Sequence, residues 1–222
     1  MNRPFIAAMS AVVALVWAQW WFSVQADRAI QLRLMRWMAG PPPTVQVTAI
    51  PFWQMASGRF QSIAMRAHQV RVAGVSMQAI DVRWTDGQVA LRRRSSYGLC
   101  VLRAGTIAGS VVVGSSALAA LFNQTGFIES TRVNIAHRQL VVRGVVRLDG
   151  RRLPIDVSGR LMFTRGRGGR VVFYPRSVNG RALPGPMSMN LFIMSQWRLP
   201  LPLRIVGLRL GQNRITVRVV GG

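Results

Sequence analysis

The sequence predicts an α+β fold that is mostly β: a long, strongly curved antiparallel sheet wrapped around a helix, preceded by an N-terminal transmembrane or signal helix. Three observations carry that expectation. Residues 5–24 contain no charged side chain, a run of about 20 residues that spans roughly 30 Å as a helix, the thickness of a bilayer core. From Thr44 onward the apolar residues recur with a period of two, the mark of strands with one dry and one wet face. Within that β region one internal stretch, Ser115 to Gln124, reads firmly as helix.

The N-terminal run is preceded by Arg3 and crowded at its end by Trp17, Trp20 and Trp21, rings that favour the headgroup level of a membrane. Val24-Gln25-Ala26 places small residues where a signal peptidase reads, so an uncleaved anchor and a cleavable signal both stay open. Either puts the remaining chain outside the cytoplasmic membrane, as a single-pass protein with an extracytoplasmic domain or as a secreted one. Arg28, Arg33 and Arg36 follow the run against the positive-inside bias, which long translocated domains override. The expected division is an anchor or signal over 1–26, an amphipathic helix and proline spacer over 27–43, and a β-rich domain over 44–222.

In DRAIQLRLMRWM, Ile30, Leu34, Trp37 and Met38 share one helical face, fit either for a membrane surface or for the domain. Gly40-Pro41-Pro42-Pro43 stops it as a semi-rigid spacer. Pro51 to Ser57 suits a short helix ended by Gly58. Strands follow in TVQVTAI, IDVRW, RVNI, QLVVRGVVRL, LPIDVSGRLMF, RVVFY and RITVRVV, with turn signals in DG at 86 and 149, NG at 179 and RGRGG at 165–169. In SSALAALFNQ, Ser115 or Ser116 caps the start, Gly126 follows the end, and Leu118, Leu121 and Phe122 form one apolar face.

Composition narrows the chemistry. Six acidic residues face 29 basic ones, all of them Arg, for a formal net charge of +23, a field that attracts anionic surfaces of any kind. His68 and His137 are the only histidines and Cys100 the only cysteine, far short of a zinc ligand set. No carboxylate pair, serine elbow or phosphate loop with its lysine is present, so neither an enzyme nor a metal or other cofactor is expected. Arg92-Arg93-Arg94 and RGRGGR at 165–170 could grip phosphates, but they fall at predicted hairpin tips without a recognition helix or stacking pattern, so nucleic acid is not the expected partner. Eleven Met, nine Phe and seven Trp fit either a packed core or a floppy apolar ligand.

The order of the motifs adds a further reading. PFWQMASGRF, QVRVAGVSMQAIDVRWTDGQV, the SSALAALFN helix, QLVVRGVVRLDGRRLPIDVSGRL, RVVFYPRSVNGRALPGP and LPLRIVGLRLGQNRITVRVVG follow one another, a succession that resembles the LmeA-like family of bacterial envelope proteins, associated with phospholipid binding. The resemblance implies a half-barrel, tubular-lipid-binding-like fold with an apolar groove for acyl chains and no catalytic or metal-binding residues. The family motifs align with Phe52 to Phe60, with the hairpin glycine Gly74, with Ser115, Leu118 and Leu121, with the turn at Gly180, Leu183 and Pro184, and with a final turn at Gly207-Leu208. The expected function is then non-enzymatic binding of membrane lipid, anionic phospholipid above all. Phe52, Trp53, Met55, Leu118, Leu121 and Phe122 are the candidate apolar contacts, and Arg59 the candidate headgroup contact. The alternative is a scaffolding module that holds anionic cell-wall polymer or a partner protein on its basic surface.

Overall fold

The computed structural model describes residues 3–36, 38–49, 53–72, 74–90, 100–103, 105–124, 126, 128–136, 139–148, 151–164, 170–185, 187–193 and 203–221. Helix α1 (Arg3–Leu34) leads into β1 (Met38–Ala39), β2 (Thr44–Thr48), the short α2 (Trp53–Ala56), β3 (Arg59–Val72), β4 (Val75–Ala90), β5 (Cys100–Arg103) and β6 (Thr106–Gly114). Helix α3 (Ser115–Gln124) follows, then β7 (Glu129–Ala136), β8 (Gln139–Leu148), β9 (Arg151–Thr164), β10 (Arg170–Val178), β11 (Arg181–Ala182), β12 (Met189–Ile193), β13 (Leu203–Gly211) and β14 (Arg214–Gly221). Most of the described residues are strand, as the period-two pattern predicts.

The expectation of one rolled sheet is corrected. The strands form two antiparallel sheets, neither closed into a barrel. The first has eight strands in the order β1-β3-β4-β6-β14-β13, with β2 beside β3 and β5 beside β4; the second has six, β11-β10-β9-β8-β7, with β12 beside β10. The chain crosses between them through α3, which leaves β6 of the first sheet and delivers β7 of the second.

Around α3 the inner faces of both sheets meet in one core. Leu118 and Phe122 are both buried, joined by Met77, Val113 and Ile215 from the first sheet and by Leu140, Val142 and Phe173 from the second. Phe122 meets Phe173 edge to face, ring centroids 5.7 Å apart, an arrangement that adds about 0.5–1.5 kcal/mol beyond burial. Both helix ends are held. The Ser115 N–H donates to the Asn213 carbonyl in the β13–β14 turn, and the Asn123 side-chain oxygen accepts from the Thr131 N–H of β7.

The opposite end of the first sheet is closed by α1. Here one continuous helix runs from Arg3 to Leu34, across the expected division between anchor and amphipathic helix. Ile30 and Leu34 pack on a second cluster of Val45, Phe60, Ile63, Trp84 and Ile107, so the amphipathic face serves the domain. Met38, expected on that face, lies instead in β1, and Trp37 falls outside the described residues. The proline run is no free spacer either. β1 pairs with Val72 and Arg71, and β2 with Ser62 to Arg66, so residues 40–43 interrupt one edge strand along β3, where prolines forfeit no ladder bond. On the free edge of β2 the Val47 N–H donates to Asp27 Oδ1 at 2.7 Å, and Gln19 Nε2 donates to the Ala49 carbonyl at 2.6 Å. The helix thereby covers an edge that would otherwise template pairing with another chain.

The turn signals fare unevenly. Asn179-Gly180 closes β10 onto β11 with both residues at positive φ, 49° and 77°, as that dipeptide predicts, whereas the turn signals at 149–150 and 165–169 lie outside the described residues. Asp86-Gly87, in contrast, is no turn but part of β4. A Cβ on Gly87 would run into the rings of Phe60 and Trp84, which meet edge to face at 4.7 Å; the glycine makes room for that pair. The last turn falls at Gln212-Asn213, with Asn213 at φ 54°, while Gly207-Leu208 sits within β13 beside a register shift.

Two outcomes follow. Phe122→Ala should lower unfolding free energy by about 3–5 kcal/mol in denaturant titration, since it empties the junction of both sheets. Burial raises the Asp27 carboxyl above its ordinary 3.8, outweighing the Val47 hydrogen bond that pulls it down. The folded chain then holds more protons than the unfolded one between 3.8 and that raised value, so this group costs stability as pH rises through the window. Asp27→Asn keeps an acceptor for Val47 and should gain in Tm relative to wild type as pH rises from about 3 to about 7; a gap constant across that range would show that the burial has no such effect.

Candidate functional site

The structure separates the residues that the sequence groups together. Leu118, 1% exposed, and Phe122 are core, and Leu121 is half-buried against the same cluster. Trp53 begins α2 and is 60% exposed. Arg59 is exposed at the start of β3, opposite Gln88 of β4. Phe52 and the Met55 side chain lie outside the described residues. α3 packs toward the β4 end that carries Gln78, against Gly114, whereas Arg59 pairs ten residues further along that strand, about 30 Å away. Leu118 and Arg59 therefore sit toward opposite ends of β4.

A different apolar surface emerges in the second sheet. In the β8–β9 ladder Leu140 faces Gly159, Val142 faces Val157, Gly144 faces Ile155, Val146 faces Leu153 and Leu148 faces Arg151. Alternation puts all of these on the face that carries the core. Leu140 and Val142 are fully covered. At Gly144 the Ile128 side chain is packed onto the glycine, where a Cβ would strike it. Beyond it Val146 and Ile155 are half-buried, and Leu148 and Leu153 are 59% and 45% exposed. An apolar strip thus continues out of the core along the inner face and stops at Arg151.

The other face of the same hairpin is ionic. Arg143 pairs with Asp156 at 2.8 Å, and Glu129 receives Arg147 at 2.9 Å and Arg152 at 3.6 Å. These pairs are largely exposed and contribute little stability, but they keep the charge off the apolar side. The strip can remove methylene groups from water, and Arg151 at its end offers a charged fork for a phosphate oxygen. Among the described residues no three His, Cys, Asp or Glu side chains gather as a metal site requires.

A family model for LmeA-like phospholipid-binding proteins matches residues 13–220 of the chain. The chain belongs to the LmeA-like family. The family is defined by phospholipid binding and not by a catalysed reaction, so lipid binding is the function that membership suggests. No curated protein and no solved structure matches the chain.

Sequence reasoning missed the β8–β9 strip although its signal was present. In QLVVRGVVRL every inward position from Leu140 to Leu148 is apolar or glycine, right to the end of the strand, where a soluble hairpin ordinarily turns polar. If the strip is surface and not core, Leu148→Ala and Leu153→Ala should each shift unfolding free energy by less than about 0.5 kcal/mol, while Leu118→Ala costs about 2–5 kcal/mol. Parallel denaturant titrations distinguish the two classes.

Proposed function

We propose that this LmeA-like protein is a non-enzymatic membrane-anchored lipid binder. An acyl chain of an anionic phospholipid lies along the strip from Val146 and Ile155 to Leu148 and Leu153, and Arg151 meets its phosphate. The observation that supports this reading is the uncovered inner face of β8 and β9, apolar to its tip and bounded by arginine. Each buried methylene contributes about 0.8 kcal/mol, so a few carbons of an acyl chain suffice to hold a lipid. The formal charge of +23 favours an anionic headgroup.

On this reading the uncharged run of residues 5–24, in the first part of α1, anchors the protein, and the domain stands on the extracytoplasmic side. Among the described residues no helix is long and apolar enough to cross a membrane; the anchor rests on the sequence of the run, and its retention in washed membranes is a direct check. The scaffolding alternative has no observation in its favour beyond net charge.

Native mass spectrometry of the full chain from mild detergent should show bound phospholipid, and Leu148→Asp with Leu153→Asp should reduce the lipid-bound fraction at least about tenfold, the equivalent of 1.4 kcal/mol, with far-UV circular dichroism unchanged. Lipid-free wild-type protein that also fails to extract labelled phosphatidylglycerol from vesicles would overturn the reading. Undiminished lipid in the double variant would move the site elsewhere.

A further inference from the structure

We infer that the end of the first sheet nearest α1 is a docking rim for an anionic bilayer surface, formed by Trp17, Trp20 and Trp21 of α1 together with Trp53, Arg59 and Arg103. The inference rests on the anchoring reading above and adds which face of the domain meets the membrane. Trp17 and Trp20 are each 63% exposed, and Trp21 is also solvent-facing, an aromatic patch at the i, i+3, i+4 spacing of one helix side. Side chains of this size left in water on a folded domain mark a contact surface, and Trp in particular favours the headgroup level.

The patch is fixed to the domain. Gln19, between the tryptophans, donates to the Ala49 carbonyl at the exit of β2. Trp53 is four residues further along the chain, within about 14 Å of Ala49. Its short helix is held in turn, for Ser57 closes back onto Gln54 and the Gln88 side chain donates to the Ser57 carbonyl at 3.0 Å. Gln88 is also the residue that pairs with Arg59 on one side and Arg103 on the other, so two exposed arginines flank the strand that steadies Trp53. Asp86, exposed on the same strand, leaves this rim net positive. Indole beside guanidinium suits an interface where apolar carbon gives way to phosphate, and the positive rim selects an anionic lipid surface over a neutral one.

The geometry gives α1 a second task. From Gln19 back to Arg3 the helix runs about 24 Å beyond its tie to Ala49, so a bilayer holding that part brings its surface to the level of the tryptophans and Trp53. The domain is then held at a set orientation by helix and rim together and does not swing on a tether.

The test uses the full chain in nanodiscs of phosphatidylcholine with or without phosphatidylglycerol, carrying bromine near the headgroup end of the acyl chains. Trp53 is read as the difference in quenching between wild type and Trp53→Phe, and the helix tryptophans as the difference from Trp17→Phe/Trp20→Phe/Trp21→Phe. Expected is quenching of both sets on anionic nanodiscs, with the Trp53 signal reduced at least twofold on neutral ones and in Arg59→Glu/Arg103→Glu, and the helix signal retained in both. Quenched helix tryptophans with Trp53 untouched overturn the rim and leave the anchor standing; quenching of neither overturns both. A Trp53 signal indifferent to the charge reversal, or shielding that follows protein copies per disc and so marks a second copy of the chain as the occupant, overturns the rim. Lipid carried on the β8–β9 strip is counted separately by mass spectrometry, so the strip can fail while the rim stands, and the reverse.

Discussion

The packing of α3 is the constraint on which the rest of the structure depends. Its ten residues stand between β6, in the middle of one sheet, and β7, the first strand of the other, and its buried side, Ala117, Leu118 and Phe122, has to match both inner faces at once. Burying Leu118 and Phe122 stabilises by about 1.5–3 kcal/mol each, and the contact with Phe173 ties the helix to β10 of the second sheet. Because the Ser115 N–H at one end and the Asn123 side-chain oxygen at the other are both hydrogen-bonded, the helix cannot rotate to suit only one sheet. Everything that lies beyond its reach has to be covered by something else or left open.

The two sheets meet that condition differently. The first sheet is long, and the end that α3 does not reach is closed by Ile30 and Leu34 of α1 over Phe60, Ile63 and Trp84. Asp27 then accepts from the Val47 N–H on the free edge of β2, and Gln19 donates to the Ala49 carbonyl just past its end. Among the described residues no second helix packs on the second sheet. Past Ile128 on Gly144 its inner face is only partly filled, with Val146 and Ile155 half-buried against the core and Leu148 and Leu153 exposed. The same sequence habit, an apolar residue at every second position, yields core in one place and open surface in the other, and the difference is only what lies opposite.

That difference explains what the sequence made legible. Strand positions follow from local alternation, and so do α3, α2 and the Asn179-Gly180 turn, because each is decided by neighbours within a few residues. Asp86-Gly87 misled because its glycine answers a tertiary demand, the room needed by Phe60 and Trp84, which no local pattern announces. The break into two sheets was invisible for a similar reason: periodicity marks strands but not which strands share a ladder. Among the candidate site residues, Leu118 and Phe122 were read correctly as one apolar face, yet whether such a face meets lipid or protein depends on long-range packing, and here it meets protein. Trp53, expected beside Phe52 and Met55 as an apolar contact, is 60% exposed at the start of α2, and its part in the proposed rim depends on that exposure.

Charge and apolar surface are kept apart along the β8–β9 hairpin, and the separation bears on how a lipid-binding member of this family can be so basic without losing a dry site. Arg143, Arg147 and Arg152 occupy the outer face and are engaged by Asp156 and Glu129, whereas the inner face carries no charge until Arg151. An arginine placed halfway along the strip would keep its hydration and hold an acyl chain off the surface, because removing a guanidinium from water costs far more than a methylene returns. Concentrating cations on outer faces and rims lets the net field draw the protein to anionic membranes over about a Debye length, roughly 8 Å at physiological salt. The strip acts only at contact. Attraction to the membrane and retention of a lipid therefore fall to different residues, and on the proposed reading the first can be tuned by the number of arginines without altering the second.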